Sequence, residues 1–525
     1  MIRGTKELVE AKRVSLTKTP PPPAPLKELT VERDSYAACP TQPHKKGRLQ
    51  PFVKHPESYK SNGDLLLTEL RLLREQGLDE ETVTRLDKEL RALPSTTELM
   101  EPAEFAAWAS KLSALSAGLT QHEPTELEAI RALLPAPVAL PPLTLTREQI
   151  RNRVAGGWVG RACGNVLGKP VEGWSRQGIE AFLHKKGLQS LDFYLEGTAE
   201  DHAEHPFHKS WSKACLNFLK GSAPRDDDMD YPILALLTAE GLLDANPGRE
   251  KEVVDNLQGI LSTRDVAHIL RMNLPVDRVF TAEKIGVRNL MAGIIPEKAG
   301  STSNPYREWI GASIRADLWG YISPGNPERA ATLAHHDAVL THTGNGVYGE
   351  MFFAALVAAS FSAKSLDQAL DAAVAQIPAG SRFSQMIKSV REWEASGMSW
   401  DDCWRNINLT YGNLHWVHVL NNGAIAVAGL LYGKGDFAKT VTLTTLGGYD
   451  TDSNTATTGS VVGVLHGESA VPESWKRPIS QVDAQGRLNP HLASAVFGHS
   501  DVSLLDLADR TMRLVPEVSP EFAAQ

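Results

Sequence analysis

The run Thr146-Arg147-Glu148-Gln149 has the form of a capping box, and the helix it opens carries glycine at positions 156, 157, 160 and 164. Each glycine inside a helix costs roughly 0.5–1 kcal/mol relative to alanine. A ladder of them makes physical sense only where a neighbouring element must come very close. The helix runs into Leu167-Gly168-Lys169-Pro170-Val171-Glu172-Gly173, where glycine and proline force a turn and present Glu172 on a loop. Far downstream, Gly448-Tyr449-Asp450-Thr451-Asp452-Ser453-Asn454 precedes Ala456, Gly459, Ser460, Val461, Val462, Gly463 and Val464. Small and β-branched residues on all sides predict a buried helix, here with an acidic start. Such a start can hold a cation or cap its own helix, because Asp and Ser accept from the free N–H groups of the first turn.

A second acidic start lies between them. Arg225-Asp226-Asp227-Asp228-Met229-Asp230 leads directly into the apolar helix of Ile233, Leu234, Leu236, Leu237, Leu242 and Leu243. Like charges about 4 Å apart repel by roughly 4 kcal/mol at an effective dielectric of 20, so a carboxylate cluster entering a buried helix needs a cation. Both starts offer oxygen donors only, which suits magnesium, manganese or calcium. An EF-hand is excluded, since its sixth position would be Thr455 and its twelfth Val461. His202, His205 and His208 have a zinc-like spacing, but Pro206 breaks the helical register that a zinc site there would need.

Residues 1–62 hold Pro20 to Pro23 and Pro25, a basic pair at Lys45-Lys46 and little apolar periodicity, and are expected to be extended or disordered. Residues 63–134 carry helical stripes: Leu66, Leu70 and Leu73 before a glycine stop at Gly77; Val83, Leu86, Leu90 and Leu93 after Asp79; Phe105, Trp108, Leu112 and Leu115; and Leu127, Ile130 and Leu134. This predicts a small helical region without a chemical motif. A proline-rich linker, 135–145, separates it from a domain expected over 146–515. There the Ala-rich helix from Ala330 closes in Thr341-His342-Thr343-Gly344-Asn345-Gly346, a polar loop of the kind that holds ligands. No apolar and polar alternation is sustained enough for a sheet, so the domain reads as all-α.

A net charge of −9 argues against a nucleic-acid surface. Cys39, Cys163, Cys215 and Cys403 are scattered and read as reduced thiols. No stretch has the form of a signal peptide or a membrane span, and a cytoplasmic protein is expected.

From about Thr146 to Leu514 the motif order resembles the ADP-ribosylglycohydrolases, which include the dinitrogenase reductase-activating hydrolases. The motifs are the glycine helix with L-G-x-P-x-E, the acidic D-D, G-A-x-x-R at Gly311 to Arg315, T-H with a glycine loop, and D-T-D-[ST]-N. The resemblance implies an orthogonally packed all-α bundle, here with an extra N-terminal helical region, whose cleft holds two divalent cations, Mg2+ or Mn2+. By position, Asp226, Asp227, Asp228, Asp450, Asp452 and Ser453 would be the ligands. Gly311, Ala312, His342, Asn345 and Gly346 would line the ADP-ribose site, and Glu172 would act in catalysis or gate the metals, with Asp227 beside it. The implied reaction is hydrolysis of the ribosyl bond in an ADP-ribosylated protein or an ADP-ribose-containing small molecule. Two alternatives come with the fold: a hydrolase of another N- or O-ribosyl compound, and a catalytically silent, crystallin-like relative.

The chain departs from the family pattern at four places. Asp226 stands for the usual Thr, Met229 for a second Thr, Asn165 for a common Asp, and Tyr449 for Gly or Trp. The extra charge at Asp226 is expected to tighten metal binding or change the metal.

Overall fold

The computed structural model describes residues 62–93, 102–204 and 214–517. The proline run, Lys45-Lys46, Cys39, His205, His208 and the side chain of His202 lie outside the described residues.

The N-terminal region forms α1 (Asn62–Glu75), α2 (Glu80–Ala92) and α3 (Pro102–Leu119). Gly77, at φ +102°, takes the chain out of α1, and Asp79 caps α2 by accepting from the Thr82 N–H at 2.8 Å. Leu66, Leu70, Leu73, Leu86, Leu90 and Leu112 pack into a core of their own. The expected fourth stripe is only a short helix, Leu127–Arg131, and its Ile130 joins the main core instead.

Polar contacts tie this region to the main body. Glu69 takes both Arg307 guanidinium nitrogens at 2.7 and 2.8 Å, Gln76 donates to Glu308 at 3.2 Å, and Glu75 accepts from the His415 N–H at 2.9 Å. The Thr125 carbonyl bonds His335 Nε2 at 2.8 Å.

The body is built from helices. Those that position the site are α4 (Arg147–Gly168), α5 (Asp227–Asp244), α6 (Thr281–Met291), α7 (Asn345–Ala359), α8 (Val419–Gly433), α9 (Phe437–Leu446) and α10 (Thr451–His466). The capping box of α4 is complete: the Thr146 hydroxyl accepts from the Gln149 N–H, and the Gln149 side chain from the Thr146 N–H.

The neighbour that the glycine ladder requires is α10, lying antiparallel to α4. A β-carbon on Gly156 would stand 2.3 Å from the Gly463 carbonyl oxygen, one on Gly160 2.3 Å from that of Gly459, and one on Gly164 2.1 Å from that of Thr455. Each is closer than a real β-carbon can approach, so the two backbones touch along more than two turns.

One departure from the all-helical expectation is a small antiparallel sheet, β1 (Ser480–Val482), β2 (Leu488–Leu492) and β3 (Val502–Ser503). Strands of two to five residues are too short for a period-2 pattern to register. Among the described residues no helix is long and apolar enough to cross a membrane.

Candidate active site

The contact of α4 with α10 continues to the end of α4, where a β-carbon on Gly168 would lie 2.3 Å from the Thr451 carbonyl oxygen. The Thr451 hydroxyl also donates to the Gly168 carbonyl at 2.8 Å. Just beyond, the Gly173 N–H donates to the Tyr449 carbonyl at 2.8 Å and the Tyr449 N–H to the Trp174 carbonyl at 3.1 Å. The loop of Glu172 and the loop of Asp450 are thus stitched together by their backbones. Tyr449 has φ +65° next to Gly448 at +75°, the left-handed region that glycine enters without strain. Here the Tyr449 hydroxyl is anchored on Asn408 at 2.9 Å. Asn422 fixes the start of α10, accepting from the Asp450 N–H at 3.0 Å and from Asn454 at 2.7 Å. The Asp450 carboxylate makes no capping bond to the helix it precedes, so it is not used up in capping.

At the second acidic start, Asp226 is the cap of α5 and accepts from the Asp228 N–H at 3.0 Å. Pro232 stands inside this helix and has no N–H for the carbonyl four residues back, that of Asp228. Arg161 of α4 fills the gap: its Nε donates to the Asp228 carbonyl at 2.9 Å, its Nη1 to Asp317 at 2.7 Å and its Nη2 to the Ile314 carbonyl at 2.6 Å. The fully buried guanidinium thereby locks α5 against α4. The two acidic starts meet where the Ser453 hydroxyl donates to Asp228 Oδ2 at 3.2 Å, with Asn165 Nδ2 at 3.4 Å from the same oxygen.

They meet on a cleft. Glu172, Asp227, Asp228, Asp450, Asp452, Ser453 and Gly311 line it, opposite an apolar side made by Phe280, Ile310, Trp416 and Val417. Asp226 lies behind this lining, 2.7 Å from Lys169 Nζ. The remaining residues expected at an ADP-ribose site do not line the cleft. Ala312, His342 and Asn345 are fully buried. His342 Nδ1 is 2.8 Å from the Thr341 hydroxyl, Asn345 accepts from the Phe383 N–H, and Gly346 lets the Arg307 carbonyl come within 2.3 Å of its missing β-carbon. His342 Nε2 and Asn345 Nδ2 are buried without a hydrogen-bond partner.

The cleft also contains Glu283, which sequence reasoning passes over because one glutamate in an amphipathic helix reads as a solvated face. Gly311 admits it: a β-carbon there would lie 2.3 Å from Glu283 Oε1. Burial pushes this carboxyl up to about 7 against the pull of Arg315. Lys169 was likewise legible only as the variable position of L-G-x-P-x-E, and Phe280 and Trp416 carried no signal at all.

Electrostatically the carboxylates divide. Desolvation raises the pKa of Glu172, Asp228 and Asp450, and takes Asp227 and Asp452 up to about 6. Burial also acts to raise Asp226, but the Lys169 ammonium and the Asp228 N–H bring it below the usual carboxylate range. The donors suit a hard divalent cation. All are oxygens, and Asp228 Oδ1 and Asp452 Oδ1 are buried without a hydrogen-bond partner. Two carboxylate triads, Glu172 with Asp450 and Asp452 and Asp226 with Asp228 and Asp452, each bring ligand atoms within 4.8 Å of one another.

Residues 146–510 match the ADP-ribosylglycohydrolase family, and the chain belongs to it. A solved structure titled "ADP-ribosylglycohydrolase-related protein complex" superposes with a TM-score of 0.43 at 17% identity, over 70% of this chain and 98% of that one. Comparison with curated proteins gives no match. Membership supports a glycohydrolase function, and the helical architecture agrees with the family fold.

Proposed function

We propose that the protein is a divalent-metal-dependent glycohydrolase that cleaves the ribosyl bond of an ADP-ribosylated protein or an ADP-ribose-containing small molecule. The observation that carries this reading is the convergence of two acidic helix starts, Asp226–Asp228 and Asp450–Ser453, on one cleft of a chain from this family. Residues 146–515 form the catalytic part and residues 63–134 brace its rim through Arg307 and Glu308. With three buried free thiols among the described residues the cytoplasm is the compartment that suits it.

Asp227, Asp228, Asp450, Asp452 and Ser453 would hold Mg2+ or Mn2+, which when bound supplies fixed positive charge for ribose hydroxyls and for water. Glu283, a carboxyl that keeps its proton near neutral pH, is placed to protonate the departing group. Asp227 is placed to accept the proton of the attacking water, its carboxylate sitting on the cleft surface at the first turn of α5. Trp416 and Phe280 give the apolar side against which a flat ring can rest.

The test is release of ADP-ribose from Arg- and Ser-linked mono-ADP-ribosylated substrates and from poly-ADP-ribose, with simple nucleosides in parallel, in Mg2+ or Mn2+ and in chelator. Metal-dependent release from one of the ADP-ribose substrates is expected. Cleavage of nucleosides alone would replace this reading by that of a general ribosyl hydrolase.

A further inference from the structure

Lys169 stands inside the carboxylate cluster. Its Nζ is 2.7 Å from Glu172 Oε2, 2.7 Å from Asp226 Oδ2 and 2.7 Å from Asp452 Oδ2. It donates hydrogen bonds to Glu172 and Asp452, and Asp226 completes the set of three carboxylates as an ion pair. The side chain is delivered from a backbone that cannot drift. Gly168 beside it is pressed on Thr451, Pro170 follows it, and its own N–H is bonded to the Asn165 carbonyl.

The three partners are informative. Glu172 belongs to one of the two triads that could hold an ion, Asp226 to the other, and Asp452 to both. A single ammonium therefore takes up one oxygen from each triad and one from their shared member. The residue that departs from the family pattern here, Asp226 for Thr, is one of the three. The negative charge it adds is met within the chain at 2.7 Å. Asp228 Oδ1 and Asp452 Oδ1, buried without a hydrogen-bond partner, belong to residues that line the cleft with Asp227, Asp450 and Ser453, and Asp228 Oδ1 also faces the Arg161 guanidinium at 3.5 Å.

We infer that the Lys169 ammonium is a tethered cation standing in for one of the two divalent ions, so that the cleft binds a single ion beside it. This deepens the metal-dependent reading of the same site and rests on it. A tethered charge is always present at unit occupancy, whereas a second ion would have to be bound from solution; the pair Lys169 and Asp226 replaces an ion-binding equilibrium by a covalently held charge.

Titration of the metal-stripped full chain with Mn2+, by calorimetry and by electron paramagnetic resonance, reads the count directly. The expected result is one Mn2+ per wild-type chain, with the six-line spectrum of an isolated ion. Lys169→Met combined with Asp226→Thr removes the charge pair together, and is expected to bind two ions with the exchange-broadened spectrum of a coupled pair. Lys169→Arg keeps a charge and should still bind one. Two coupled ions in the wild type, or none, would overturn the inference, and this count needs no variant to fold. A double variant that folds by circular dichroism and still binds one ion would overturn it too. Failure of the hydrolase reading shows up separately, as one bound ion without release of ADP-ribose.

Discussion

Gly160 and Gly459 meet backbone to backbone: a β-carbon on either would lie 2.3 Å from the carbonyl oxygen of the other. Neither obstacle is a flexible side-chain end, so an added methyl group must push the helices apart. Gly160→Ala gains up to about 1 kcal/mol of helix propensity but incurs overpacking of about 1–3 kcal/mol or more. Because the same contact sets where Gly168 meets Thr451, net destabilisation with a lower Tm and weaker metal binding is expected. A variant as stable as the wild type by thermal denaturation would mean that the helices are not in backbone contact.

Asp227→Ala and Asp452→Ala remove carboxylates from opposite halves of the cleft. Each is expected to abolish metal-dependent turnover while circular dichroism stays that of a helical fold. Full activity in either variant would show that the reacting centre lies elsewhere.

Glu283 gives the pH dependence of turnover. Its pKa is raised from 4.5 to about 7, so the carboxyl is protonated below that pH and loses its proton above it. If it protonates the departing group, the rate falls as pH rises through about 7. In Glu283→Gln, with nothing to ionise, that limb should vanish along with most of the rate. A wild-type profile flat from pH 6 to 8, in steps that keep the metal bound, would remove Glu283 from the chemistry.

His335 gives the pH dependence of the junction with the N-terminal region. Burial lowers its pKa from 6.5 to about 4, and its ring bonds the Thr125 carbonyl. Between those values the unfolded chain takes up a proton and the folded one does not. Its contribution is therefore intact above about 6.5 and lost as pH falls toward 4, by up to roughly 3 kcal/mol. Denaturant titrations at pH 7.5 and pH 5 should show a smaller loss for His335→Gln than for the wild type; equal losses would place the titrating group elsewhere.

Much of this site could be read before the structure because its residues announce themselves in runs. Glycine at every fourth place of α4 requires a close neighbour, and clustered aspartates before buried helices require positive charge. What could not be read was partnership. Nothing in the spacing of Gly156, Gly160 and Gly164 names Gly463, Gly459 and Thr455 as their counterparts. Arg161 rescues the carbonyl that Pro232 leaves unbonded, a relation visible only once α4 and α5 lie side by side. Glu283 and Lys169 escaped for another reason: a lone charged residue carries no pattern, and its meaning comes from what surrounds it in space. The polar loop at His342 is a different case. Its composition suits a ligand, and in the fold His342 and Asn345 are fully buried and do not line the cleft.

The pairing of α4 with α10 also has a consequence in time. Gly168 and Thr451, which meet at the site, are 283 residues apart in the chain. At about 5–20 residues per second of synthesis, the glycine face of α4 leaves the ribosome tens of seconds before the helix that covers it exists. Until then Lys169 and Glu172 have no Asp452 to meet. A nascent chain halted anywhere before Thr451 therefore leaves the glycine face of α4 uncovered and lacks the cleft's Asp452 carboxylate.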